Sequence, residues 1–81
     1  MKQSVLHRYQ EFCETILEVL SDTYEDENLE SYPFAVNPDT LEVVPVGDEA
    51  ATPEGWIFEN IPDLEWTTIQ DCATQYFDFR R

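Results

Sequence analysis

The chain has 81 residues, of which 42% are hydrophobic and 14% aromatic, and it carries a formal net charge of −14. That length holds one domain with one core, and two Trp, four Tyr and five Phe are too many for a disordered acidic tail. The charge excludes direct binding to nucleic-acid phosphates and disfavours anionic membrane surfaces, which leaves basic proteins, basic grooves or cations as partners.

The opening KQSVLHRYQEF lacks the apolar run of a secretory signal, and no stretch approaches the length of a membrane span. The expectation is a cytoplasmic chain. Residues 4–24 then read as a helix. Val5, Leu6, Tyr9, Phe12, Cys13, Ile16, Leu17 and Leu20 recur at three- and four-residue spacing. Glu11, Glu14, Glu18, Asp22 and Glu25 recur in the same way on the opposite side, so the helix should bury one face and show water a row of carboxylates.

Residues 25–33, EDENLESYP, predict a loop or one helical turn anchored by Leu29 and Tyr32. An EF-hand started at Asp22 fails, because Tyr24, Glu27 and Pro33 occupy positions that need a ligand, a glycine and a glutamate. Residues 34–46 read as a hairpin, with Phe34–Val36 and Leu41–Val44 flanking a type I turn at Asn37-Pro38-Asp39-Thr40. Pro45 marks the second strand as short or at an edge. An exposed loop, GDEAATPE, leads to a third strand over Gly55–Glu59, and Asn60–Asp63 turn the chain again.

A second helix follows, started by a capping box at Thr67 and Gln70 or at Thr68 and Asp71. Trp66, Ile69, Cys72, Ala73, Tyr76 and Phe77 supply its apolar face, and Arg80 and Arg81 sit where its dipole favours cations. The fold expected is a small α+β domain spanning residues 1–81. An N-terminal amphipathic helix, a short antiparallel hairpin or three-stranded sheet, and a C-terminal helix bury their apolar faces together.

Catalytic patterns are weak. His7 is the single histidine and falls on the acidic side of the first helix beside Glu11. Cys13 and Cys72 match no metal or CxxC spacing and read as two buried thiols, with a disulfide between packed helices as the alternative. Glycine-rich phosphate loops and nucleophile motifs are missing, so no cofactor, metal or enzymatic role is read from the sequence.

The distribution of charge is more telling. All 18 carboxylates lie between Tyr9 and Phe79, whereas the four cations, Lys2, Arg8, Arg80 and Arg81, lie at the two ends. Four cations cannot neutralise 18 anions within one copy. Carboxylates four apart on a helix repeat about every 6 Å along its axis, comparable to the spacing of backbone phosphates. The reading is a non-enzymatic binding protein that meets a basic surface of another protein. Glu11, Glu14, Glu18, Asp22, Glu25, Asp26 and Glu27 would make the contact. In its sharper form the chain is a nucleic-acid mimic that inhibits by filling a basic groove. The alternative is a structural α+β domain whose acidity reflects a salt-rich environment and serves no dedicated basic partner.

Overall fold

The computed structural model describes residues 5–24 and 29–77. Helix α1 (Val5–Thr23) comes first, then strands β1 (Tyr32–Val36) and β2 (Val43–Pro45), a 3-10 turn at Glu49–Ala51, strand β3 (Ile57–Ile61) and helix α2 (Trp66–Thr74). The three strands form one antiparallel sheet in the order β2-β1-β3. This is the α+β architecture expected, with three strands.

Both helices lie on one face of the sheet. Tyr9, Phe12, Cys13, Ile16 and Leu20 of α1 and Ile69, Cys72 and Ala73 of α2 meet Tyr32, Phe34, Val36, Val43 and Ile61 from the strands. Period-2 alternation explains the choice, since residues 32, 34 and 36 share one side of β1. The helix α1 is stable despite its charge. Its like-charged neighbours cost about 1 kcal/mol in total, whereas burying its five core side chains contributes about 10 kcal/mol. Val5 and Leu6, expected on the buried stripe, are 47% and 55% exposed, because the helix there has passed the edge of the core. Trp66 and Leu29 are likewise exposed, at 40% and 36%.

Proline placement shows how the sheet is bounded. Asn37 N–H donates to Glu42 C=O across the β1–β2 side at 2.9 Å. Ladder alternation then turns the polar groups of residues 33, 35 and 37 toward β2 and those of 32, 34 and 36 toward β3. Pro33 therefore faces a position that β2, which pairs only with Phe34–Val36, does not reach. A proline in this central strand thus removes no ladder bond. The register would next bring Val46 opposite Pro33, and Val46 C=O would find no N–H. Tyr24, just past α1, fills the gap: its hydroxyl meets Pro33 C=O at 2.9 Å and Val46 C=O at 3.2 Å. By the same alternation, the missing N–H of Pro45 points to the outer side of β2.

The hairpin loop is longer than a two-residue type I turn. Asn37 Oδ1 accepts from Asp39 N–H at 2.9 Å and Thr40 N–H at 3.3 Å, and Leu41 N–H closes on Asn37 C=O at 2.7 Å. Leu41 has φ +63°, so the second strand cannot begin there and starts at Val43 instead. Strand β3 is also shifted two residues from the expected Gly55–Glu59. Trp56 N–H bonds Pro53 C=O and Gly55 takes φ +88°, which commits both residues to a turn. Asn60 and Ile61, expected in a turn, belong to β3.

The capping box of α2 does not form. The helix begins at Trp66, so Thr67 and Thr68 already lie within its first turn. The N-cap residue Glu65 makes no side-chain cap bond; Asp63, two residues upstream, accepts from Glu65 N–H at 3.0 Å. Hydrogen bonding from Thr68, and then from the Glu65 backbone, holds the Asp63 carboxyl below the ordinary value. The helix ends at Thr74, and two i→i+3 bonds carry the chain onward, Tyr76 N–H to Ala73 C=O and Phe77 N–H to Thr74 C=O. Tyr76 and Phe77 still reach α1, with ring centroids 5.5 Å (Phe12–Tyr76), 5.7 Å (Tyr9–Phe77) and 5.9 Å (Phe12–Phe77) apart. Arg80 and Arg81 lie outside the described residues.

Candidate functional site: the acidic face of the first helix

Helix periodicity sets the site. At about 100° per residue, Glu11, Glu14, Glu18 and Asp22 fall within a sector of about 80°. The buried side chains Tyr9, Phe12, Cys13, Ile16 and Leu20 occupy the opposite sector. All four carboxylates are exposed. From Glu11 to Asp22 the row extends about 16 Å along the axis. Glu25, Asp26 and Glu27, expected to continue it, lie outside the described residues.

Few groups oppose this charge. Among the described residues Arg8 is the sole Lys or Arg. It borders surface depressions beside Leu41 on the flank of α1, together with Phe12 and Thr40 on one side and Tyr76 and Phe77 on the other. His7 Nε2 lies 3.2 Å from Glu11 Oε2, an i,i+4 contact with both side chains more than half exposed. Exposed pairs of this kind contribute little. Glu14, Glu18 and Asp22 join no ion pair among the described residues. Thr15, between them, spends its hydroxyl on the Glu11 carbonyl at 2.9 Å. The arrangement concentrates negative potential along one open ridge, where salt screens it over about a Debye length.

The remaining chemistry-bearing residues are occupied in the fold. Cys13 and Cys72 are both buried and unbridged. Burial pushes the Cys13 thiol up from 9.0, and burial with the nearby Glu59 carboxylate pushes Cys72 up to about 12. Both are thus protonated at neutral pH and poor nucleophiles. No group of three or more metal-ligating side chains occurs among the described residues, and no described helix is long and apolar enough to cross a membrane.

Sequence reasoning missed one polar cluster. Glu59 sits on the helix-facing side of β3, opposite Phe34. Its Oε2 accepts from the Tyr76 hydroxyl at 2.5 Å and from Gln75 Nε2 at 2.8 Å, and Gln75 also donates to Cys72 C=O at 3.1 Å. Burial and Glu59 together raise the Tyr76 phenol well above its ordinary value. The signal was available: in Ile57-Phe58-Glu59-Asn60-Ile61 the acid shares its parity with the two isoleucines. An inward-facing charge in a strand needs partners, and the end of α2 supplies them. The cluster holds two elements together and lies away from the acidic row, since α1 packs toward β2 and α2 toward β3. Comparison of the chain with models of protein families, with curated proteins and with solved structures found no match.

Proposed function

We propose that the chain is a non-enzymatic binding protein whose first helix engages a basic surface of a partner protein. The supporting observation is the exposed row Glu14, Glu18 and Asp22, opposed to the buried face of α1 and joined to no cation among the described residues. An ordinary soluble surface interleaves both signs. Here the charge of −14 is left for an external cation to neutralise. Long-range attraction would raise the association rate, and the complex would weaken as salt rises. A repeat of about 6 Å between carboxylates four residues apart suits a groove built for a phosphate backbone. The partner of this reading is therefore a nucleic-acid-binding protein, and the outcome is inhibition by occupancy.

Two variants with the same net charge separate position from bulk charge. One carries Glu14→Lys, Glu18→Lys and Asp22→Lys; the other carries Asp39→Lys, Glu49→Lys and Asp71→Lys, exposed positions outside α1 and outside β3 and its flanks. Both are used to capture partners from the native host at low salt. The proposal expects the first to lose capture and the second to keep it. Equal retention by both would show that the α1 row is irrelevant.

A further inference from the structure

One edge of the sheet is short and blunted by proline, and the other is longer and uncovered among the described residues. Strand β2 is three residues long, and Pro45 presents no N–H to the outside. Strand β3 is five residues long, contains no proline, and among the described residues has nothing beyond it in the sheet order. The alternation that fits Pro33 into β1 also settles the polarity of β3. Ile57, Glu59 and Ile61 oppose Val36, Phe34 and Tyr32, whose polar groups point toward β3, so theirs point back. The N–H and C=O groups of Phe58 and Asn60 then point outward. No turn or loop bond among the described residues takes them up. Natural edges are usually blunted by lysine, proline, a bulge or an inward charge. The inward charge here, Glu59, is already satisfied by Tyr76 and Gln75. Ile57, at the start of the same strand, leaves an apolar side chain 39% exposed.

We infer that the outer edge of β3 is a docking strand that takes an extended, lysine- or arginine-bearing segment of the partner as a fourth strand. Main-chain bonds to Phe58 and Asn60 would fix it. Charge selects the occupant. Glu54, Asp63 and Glu65 flank the strand in sequence, and a second copy of the chain would bring another −14 to the interface. The inference rests on the proposed reading that the partner is basic, but it concerns a different surface. The row on α1 lies toward β2, and β3 is the far edge, so the two contacts can be lost separately.

The test uses the full chain, isotopically labelled, and a short synthetic peptide of alternating lysine and valine, with a glutamate–valine peptide as control. Amide hydrogen exchange at Phe58 and Asn60 is followed at low salt, with affinity measured by fluorescence anisotropy. The lysine peptide should slow exchange at both amides and the glutamate peptide should not. Asn60→Pro, which removes one outward N–H without touching the β1 ladder, should weaken the lysine peptide by about fivefold. If that variant fails to fold, the exchange result on the unaltered chain still decides. Peptide binding that perturbs only amides of α1 would overturn the docking strand and leave the α1 reading standing. Failure of the lysine peptide to bind overturns the docking strand as well, while the α1 reading is judged by the charge-swap capture. Protection at Phe58 and Asn60 that grows with protein concentration and needs no peptide would assign the edge to a second copy.

Discussion

Replacing Glu59 with alanine tests the joint between β3 and the end of α2. Two bonds are lost, a 2.5 Å bond from the Tyr76 hydroxyl and a 2.8 Å bond from Gln75 Nε2. A half-buried bond to a charged acceptor contributes about 1.5–3 kcal/mol, and the more exposed Gln75 bond about 0.5 kcal/mol. Removing one anion from an over-charged chain returns a few tenths of a kcal/mol. The net expectation is a loss of about 2–3 kcal/mol, or a fall in Tm of about 10–20 °C for a domain of this size. Urea unfolding followed by tryptophan fluorescence measures it. A double-mutant cycle with Tyr76→Phe isolates the pair, with an expected coupling of about 1.5 kcal/mol or more. The reasoning fails if Glu59→Ala lies within about 0.5 kcal/mol of the parent, or if the two substitutions simply add.

Three further outcomes follow from the fold. Tyr24→Phe leaves Val46 C=O without the donor that Pro33 cannot supply, so a loss of about 1–2 kcal/mol is expected in the same urea assay. At Leu41, held at φ +63°, the β-branched Leu41→Val should be less stable than Leu41→Gly although it keeps more apolar surface; the reverse order in thermal melts would rule out backbone strain there. The Cys72 thiol has its pKa raised in the folded state from 9.0 to about 12, so the folded state keeps a proton that the unfolded chain releases. Its contribution to stability is complete below 9.0 and is lost as pH rises toward about 12. Unfolding midpoints should fall over that window in the parent and fall less in Cys72→Ala.

The parts of the fold that were legible in the sequence are those in which one periodicity dominates. The buried stripe Tyr9–Phe12–Cys13–Ile16–Leu20 and the acidic row opposite it follow from helix geometry alone, and both are found in α1. Strand β1 was legible through Phe34 and Val36, but Tyr32 and Pro33, read as the end of a loop, belong to it as well. Boundaries failed where a backbone torsion overrode side-chain character. Leu41 reads as a strand residue and is excluded by its positive φ, and Gly55-Trp56 read as a strand start but close a turn. The start of α2 failed for another reason. Thr67 and Thr68 satisfy a local capping pattern, but the helix already begins at Trp66, and the chain before it is held by Asp63, which accepts from Glu65 N–H. Of the candidate site, Glu11, Glu14, Glu18 and Asp22 share one exposed face as expected. The Glu59 cluster was missed because its partners, Gln75 and Tyr76, are brought to it only by the packing of α2 on β3.

Carboxyl footprinting tests the central claim most directly. Native chain is treated with a water-soluble carbodiimide and glycinamide, and the extent of amidation at each Asp and Glu is read by mass spectrometry, alone and after partner capture. If the row on α1 is available to an outside cation, Glu14, Glu18 and Asp22 label in the isolated chain as fast as in the unfolded one, at every protein concentration. Half-buried Glu59 lags behind, and the three become protected when the partner binds. Slow labelling of those three in the isolated chain, deepening as the chain is concentrated, would mean that they already face another copy, and the proposed role would not stand.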